Sequence, residues 1–311
     1  MARVQDRYAA RLQQIEGLSA QIEMATSHIR SLRSKLRFSV RSEFFRSGLG
    51  NPPISRLSAP RGVNIQLFLL LLMEAQSRAQ GGRPAPSPIP FIAGPNDISW
   101  TNMIVAPARE NLNAVVRISE QGNRARQARS ALRRLEQEGL VLLDSGHRRS
   151  TLKVSLLHES GMKNQGSPYT PYIIPSPLES AVHLPRSFYT RGWVYALTPS
   201  EIRLYIALRH LSQRLPDKHA NEGVYCAGFE RVTTYALSRD VYESHLTLTK
   251  FGLLQNMHNP LRHKDGKYVR AQEKLAAGKA LPAHRFKVCP DEALFDSAFH
   301  RVRRGLKSLL P

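Results

Sequence analysis

Apolar residues in the first forty positions recur every seven. Tyr8, Ile15, Ile22, Ile29 and Leu36 share one register, and Leu18, Ala25 and Leu32 fall three later, with Arg11 breaking the second set. That spacing predicts a long helix with one apolar seam. Ile in the first set and Leu in the second favour a parallel two-stranded coil, so the expected dimerisation residues are Tyr8, Ile15, Leu18, Ile22, Ile29, Leu32 and Leu36. The alternative is one amphipathic helix docked on the chain's own body. Gly48-Leu-Gly-Asn-Pro-Pro53 breaks the pattern and reads as a linker. Residues 63–80 are strongly apolar in their first half and predict a buried core helix. Residues 81–90 are a Pro-rich loop, 98–105 are strand-like or mixed, and 108–119 read as helical.

Between Gly122 and Glu138 the period is again helical. Ala128, Leu132 and Leu135 form an apolar side, and Arg126, Arg129, Arg133 and Arg134 fall opposite with Gln127, Ser130 and Gln137. Gly139-Leu-Val141 stops the helix. Residues 141–144 and 152–157 are strand-like runs, and the turn between them carries His147, Arg148 and Arg149. Residues 159–184 are rich in Gly, Ser and Pro and read as an interdomain linker.

A second unit then begins. Thr198 as cap, Pro199 in the first turn and Glu201 at the capping-box position predict a helix to about Leu215. Further helices are expected over 229–236 and 240–251, the latter closed by Gly252-Leu-Leu254. Strands are expected near 253–256 and 285–288, with a basic excursion over 261–283. The expected domains are a coiled-coil helix (1–47), a first unit (60–158), a linker (159–184) and a second unit (185–311).

Composition sharpens this picture. Of 311 residues 41% are hydrophobic, enough for packed cores, but the formal net charge is +21. Such an imbalance seeks a polyanion. Arg outnumbers Lys roughly three to one, which suits bidentate contacts to phosphate and guanine, although a GC-rich genome also favours Arg codons. Two cysteines, Cys226 and Cys289, exclude a disulfide framework and a Cys-rich zinc site. The longest apolar run is too short for a bilayer span, and no signal peptide pattern opens the chain. The expected location is the cytoplasm, in association with the nucleoid, with no membrane partner.

Enzymatic constellations are missing from the sequence. There is no Gly-x-x-x-x-Gly-Lys-Ser/Thr loop, no His-x-His pair and no His-Glu-x-x-His. His245 falls on an inward helical arc and is expected in the core. His258 and His263 are a weak metal signal. Asp291, Glu292 and Asp296 read as a helix start. No enzyme activity, cofactor or metal is expected.

The run Leu132-x-x-Leu135-x-x-x-Gly139-Leu-Val141 followed by a hairpin resembles the winged-helix branch of the helix-turn-helix family over about residues 98–158. The pattern repeats more weakly in the second unit. The fold class expected is mainly α with small β-hairpins: an N-terminal coiled-coil helix followed by two winged helix-turn-helix domains. That layout resembles plasmid replication initiators. The phrases Trp193-Val-Tyr-Ala-Leu-Thr-Pro-Ser-Glu201 and Asp240-Val-Tyr-Glu-Ser-His245 look like winged-helix regulators of high-GC actinobacteria and their plasmids. The resemblance implies a sequence-specific binder of double-stranded DNA: a replication initiator or partition-type factor of a mobile element, working with replication proteins. The alternatives are a transcriptional repressor on paired sites and a nonspecific coating protein. RNA binding fits the charge but not the helix-plus-hairpin pattern.

Within such a domain Arg126, Gln127 and Arg129 lie nearest the helix N-terminus and are expected at base edges, with Arg124 and Ser130 beside them. Arg133 and Arg134 are expected at phosphates, and Arg148 and Arg149, flanked by His147, in a minor groove. In the second unit Arg239, Tyr242 and Lys250, with Arg262, Lys264 and Lys267 of the excursion, are expected as auxiliary DNA contacts. Tyr242 and Leu246 serve equally as a protein interface, since Asp240 and Glu243 repel phosphate.

Overall fold

The computed structural model describes residues 2–32, 35–48, 50–58, 63–78, 82, 84–94, 96–107, 119–145, 152–161, 169–226, 228–259, 269–270, 273, 276–278 and 284–311. Two helices open the chain, α1 (Ala2–Gly17) and α2 (Ser19–Ser31), parted by a break at Leu18. Strand β1 (Arg37–Arg41) leads into the short turns α3 (Ser42–Phe45) and α4 (Pro53–Arg56) and then into α5 (Asn64–Arg78). A single turn α6 (Trp100–Met103) precedes the long α7 (Glu120–Gln137) and the strands β2 (Val141–Ser145) and β3 (Leu152–Leu156). Next come β4 (Ala181–Pro185), α8 (Arg186–Thr190), α9 (Trp193–Ala196), α10 (Pro199–Arg214), α11 (Pro216–Glu222) and α12 (Gly228–Thr233). The last elements are α13 (Arg239–Glu243), α14 (His245–Lys250), β5 (Leu254–Asn256), β6 (Phe286–Val288), a 3-10 turn (Asp291–Leu294) and α15 (Ala298–Lys307). The described chain is thus mainly helical, with three two-stranded antiparallel sheets, β1–β4, β2–β3 and β5–β6.

α5 and α10 organise the interior. α5 is buried from Asn64 to Gln76, as its run of apolar residues requires, and α10 from Glu201 to Leu211, with Glu201, Arg203, Arg209 and His210 among its buried side chains. The expected capping box of α10 forms: Glu201 N donates to Thr198 Oγ1 (3.3 Å) and Thr198 N donates to Glu201 Oε2 (2.9 Å). β2 and β3 pair from Val141↔Leu156 to Ser145↔Leu152, and β5 and β6 from Leu254↔Val288 to Asn256↔Phe286. Val224 bridges the other side of Phe286. Residues 98–105, read as strand-like, fold as the turn α6, which Ser99 caps by accepting from Asn102 N. The expected helix over 108–119 lies, but for Ser119, outside the described residues.

Three expectations are corrected. First, the N-terminal seam is not open to a second copy. Ile15, Ile22 and Ile29 are buried in the chain's own core, and Tyr8, Leu18 and Leu32 pack partly buried against it. Leu36 is 82% exposed, beyond the end of α2. The reason is Arg11, the residue that interrupts the heptad. It donates to both oxygens of Glu201, each at 2.6 Å, and to Ala196 O at 3.2 Å, which pins α1 to α10. Second, residues 159–184 are more than a linker. Glu159, Tyr172 and Val182 in this stretch are wholly buried. β4 pairs with β1 from Arg37↔Pro185 to Arg41↔Ala181. Third, one continuous apolar core takes side chains from both expected units.

The sheet β1–β4 is held at its end by an ion triad. Arg41 Nη1 donates to Glu159 Oε2 at 2.6 Å, its backbone N donates to Oε1 at 3.3 Å, and its Nε donates to Glu179. The two carboxylates differ by environment. Burial pushes fully enclosed Glu159 up to about 6 despite the pull of Arg41. The hydrogen bond from Arg41 holds the more exposed Glu179 down at about 2.

Glu201→Ala is expected to cost about 3 kcal/mol in urea denaturation, because it strands Arg11 and removes a buried carboxylate. Arg239→Ala, which breaks an exposed pair with Glu243, should change stability by less than about 0.5 kcal/mol. Equal effects would show that the Glu201 pair is not structural. Glu159 keeps its proton up to about 6 when folded, against 4.5 as the ordinary value. The folded chain therefore binds more protons across that window, and stability should fall as pH rises through it. Glu179 is shifted the other way and loses its contribution only as pH falls from 4.5 towards 2. Urea midpoints between these limits should show the decline in the parent and a flatter profile in Glu159→Gln.

Candidate nucleic-acid interface

Ser119 starts α7 by accepting from Gly122 N at 3.1 Å, two residues earlier than the apolar period predicts. The helix buries Asn123, Arg124, Ala128, Ala131, Leu132 and Leu135. Gly139 ends it with φ +70°, and a Cβ there would stand 2.9 Å from Gly161 O, so backbone meets backbone at this corner. Glu136 Oε1 accepts from Leu143 N at 3.1 Å, which ties the helix to β2.

The opposite face is polar and exposed. Arg126, Ser130, Arg133 and Gln137 are all exposed and lie three or four residues apart, so they form one stripe along α7. No carboxylate stands on that stripe. Arg126 Nη2 donates to Asn123 Oδ1 at 3.2 Å, which steadies the guanidinium without neutralising it.

The other expected contacts fare differently. Arg124 is 9% exposed, and its Nε has no hydrogen-bond partner, so it belongs to the packed side of the helix. Arg129 leans over the Phe91 ring, 5.2 Å from its centroid. Gln127 Nε2 donates to Pro107 O at 3.0 Å. Arg134 pairs with Glu138 at 2.7 Å and donates to Arg56 O at 3.1 Å, and Glu138 also takes Arg56 at 2.5 Å. One carboxylate thus neutralises two guanidiniums at the end of α7. His147, Arg148 and Arg149 lie outside the described residues, as do Arg262, Lys264 and Lys267.

In the second unit the expected third helix is broken at Ser244 into α13 and α14. Arg239 is exposed but paired with Glu243 at 3.1 Å. Tyr242 is corrected: it is half-buried, its ring edge-on to Phe286 at 5.9 Å and covered by the Arg231 guanidinium at 5.2 Å. The inward turn follows from the aromatic cluster of Phe286, His284 and His245. His245 is buried, as its helical position predicts. Leu246 is 37% exposed and Lys250 is exposed. Asp291 does not merely open a helix: it pairs with buried Arg209 at 2.5 Å.

Sequence reasoning missed α15. Ala298, Val302 and Leu306 are buried at four-residue spacing, and His300, Arg304 and Lys307 are exposed opposite them. That period is visible in the sequence from Ala298 to Lys307.

Among the described residues no group of three or more His, Cys, Asp or Glu is placed to hold a metal ion, and no helix is long and apolar enough to cross a membrane. Burial pushes the Cys226 thiol up to about 12, which keeps it protonated and a poor nucleophile. No family model, no curated protein and no solved structure matches the chain.

The α7 geometry separates stability from exposure. Arg129→Ala should cost about 0.5–1 kcal/mol through the lost contact with Phe91, whereas Arg133→Ala should stay within about 0.5 kcal/mol of the parent. Paired urea titrations test this, and the reverse order would mean that Arg129 is the free side chain.

Proposed function

We propose that the chain is a sequence-specific double-stranded DNA-binding protein in which α7 lies along a major groove. The observation that carries the reading is the acid-free stripe Arg126–Ser130–Arg133–Gln137 on a helix that runs directly into an antiparallel hairpin. A helix of this width fits the major groove, where guanidinium donors match guanine edges and amides match adenine. Ser130 and Gln137 add hydrogen-bonding groups that a purely phosphate-binding surface does not need. This favours sequence reading over coating.

The order α5, α7, β2–β3 agrees with a winged-helix domain, and α10, α12, α13–α14, β5–β6 with a second one. In the second unit the bridge of Val224 to Phe286 extends the β5–β6 pair by one position. Base reading is assigned to Arg126 and Arg133 rather than to Arg124, Arg129 or Arg134, whose guanidiniums are engaged within the fold or buried. A replication initiator or partition-type factor of a mobile element is the role proposed, with a transcriptional repressor as the second reading. Both use the same face and differ in whether flanking duplex melts. In either role the chain acts by binding, and no catalytic step is assigned to it. Two copies on paired sites would have to meet through surfaces other than the α1–α2 seam.

Selection of bound duplexes from a random pool should return one recurrent motif. Arg126→Ala should then reduce discrimination between that motif and random duplex by about 1–3 kcal/mol. A pool that returns unrelated sequences, bound equally by parent and variant, would reduce the protein to a coating factor.

A further inference from the structure

A second cationic surface lies away from the stripe on α7. α2, the α8–α9 corner and the start of α15 enclose a groove of about 320 Å³. Arg30, Arg191 and His300 converge on it, all three exposed, and Glu23 is the sole carboxylate in its lining. Ser19 and Ser297 add hydroxyls.

The groove is held in shape by backbone contacts. Gly192 sits at φ +82°, and a Cβ there would stand 3.1 Å from Ile22 Cγ2 and 3.3 Å from Thr26 Cγ2. Only glycine lets this corner approach α2 so closely, and that approach sets Arg191 at the rim. Arg191 O in turn accepts from Ala298 N at 2.9 Å, which fixes the corner to α15. On the opposite wall Arg30 Nε donates to Thr26 O at 3.1 Å and its Nη2 to Thr26 Oγ1 at 3.0 Å. The Arg30 guanidinium and the Arg191 backbone are therefore positioned, and neither arginine has an acid partner among the described residues.

Charge continues beyond the groove. His300, Arg304 and Lys307 share the exposed face of α15, a run of about 10 Å at 1.5 Å per residue. Arg301 and Arg303, on the flanks, are neutralised by Asp296 and Glu16, each at 2.6 Å, so the unpaired charge is confined to this line. A single small phosphate would occupy the groove alone. A line of three hydrogen-bonding side chains about 10 Å long, two of them the cations Arg304 and Lys307, matches about three phosphates of one strand, spaced about 3.4 Å along a duplex axis. α2 also touches the start of α7, where Gln21 Nε2 donates to Glu120 Oε1 at 2.8 Å.

We propose that this groove and the exposed face of α15 form a second nucleic-acid contact, in which Arg30, Arg191, Arg304 and Lys307 hold the phosphodiester backbone of bound DNA. The contact rests on the DNA-binding reading above and extends it: this surface supplies affinity and salt sensitivity, and α7 supplies sequence choice.

The test is an anisotropy titration of a fluorescent random-sequence duplex with the full chain over a range of salt concentrations. Three variants are compared with the parent: Arg30→Gln/Arg191→Gln, Arg304→Gln/Lys307→Gln and Arg126→Gln/Arg133→Gln. Each lost phosphate contact should lower the slope of log K against log salt by about 0.9, so the first two variants should each lose about 2 with unchanged thermal melting. If Arg30→Gln/Arg191→Gln disturbs melting, the α15 variant carries the test alone. Unchanged slopes in the groove and α15 variants, with a reduced slope in the α7 variant, would overturn this contact and leave the DNA-binding reading standing. A parent chain that binds no duplex would overturn both. Inorganic phosphate bound at salt that releases duplex, and lost in Arg30→Gln/Arg191→Gln, would assign the groove to a small phosphate instead.

Discussion

The carboxylate of Glu201 is where local and tertiary structure meet. Its position in the first turn of α10 makes it half of a capping box, a purely local device. Yet it is 2% exposed, so its charge has to be answered from elsewhere in the chain. Arg11 answers it from α1 with two hydrogen bonds, and Thr247 Oγ1 donates from α14 at 2.5 Å. One side chain thus joins the N-terminal helices, the central helix and the helix that packs on α15. The docking of α1 and α2 follows, and with it the loss of their apolar seam to the chain's own core. The groove beside Gly192 exists only because α2 is held there.

A net charge of +21 needs sorting between interior and surface. Two of the buried arginines are balanced by acids: Arg41 by Glu159 and Glu179, Arg209 by Asp291. Arg203 shows the cost of leaving one unbalanced. It is buried with no acid paired to it among the described residues, donates to Ala236 O, and burial lowers its pKa to about 10. A chain with about two basic residues for each acid cannot repeat the first arrangement often. Its remaining cations have to stay in water, and α7 and α15 carry them in lines rather than scattered. Lines are what a polymeric anion requires.

How much of this was legible in the sequence depends on the range of the interaction. The capping box at Thr198, the buried helix within 63–80, the helix expected over 122–138 and the paired strands after it are local patterns, and all appear in the fold, the second helix as Glu120–Gln137. β1 and β4 pair across 140 residues of sequence; each is five residues long, and neither has a turn partner to announce it. The heptad of α1 and α2 was legible as an apolar seam, but its occupant was not, since periodicity fixes a face and says nothing of what covers it. The same limit applied to α7. A helical wheel places Arg129 and Arg134 outward, but Phe91 and Glu138 come from outside the wheel's apolar pattern and claim them. Tyr242 was drawn inward by Phe286 and His284, more than forty residues away.

The elements from α10 to β6 carry a different distribution of charge from those between α5 and β3. The helix expected over 240–251 is broken, and Asp240 and Glu243 stand on the exposed side with Arg239 already paired. A helix so populated repels phosphate, and its own cations cannot offset that at the same positions. α15 carries further exposed cations, Arg304 and Lys307. A Cβ at Gly305 would stand 2.6 Å from Phe251 Cδ1 and 3.1 Å from Lys250 O, so α15 rests directly on the end of α14. Gly305 lies on the buried side of the helix with Ala298, Val302 and Leu306, so this contact leaves His300, Arg304 and Lys307 facing solvent on the other side. The last helix, after β6, thus presents cations where α13 presents acids. The physical requirement it meets is one of placement. The total charge is set by composition, but only backbone contact at Gly305 and Gly192 turns that charge into a surface with direction.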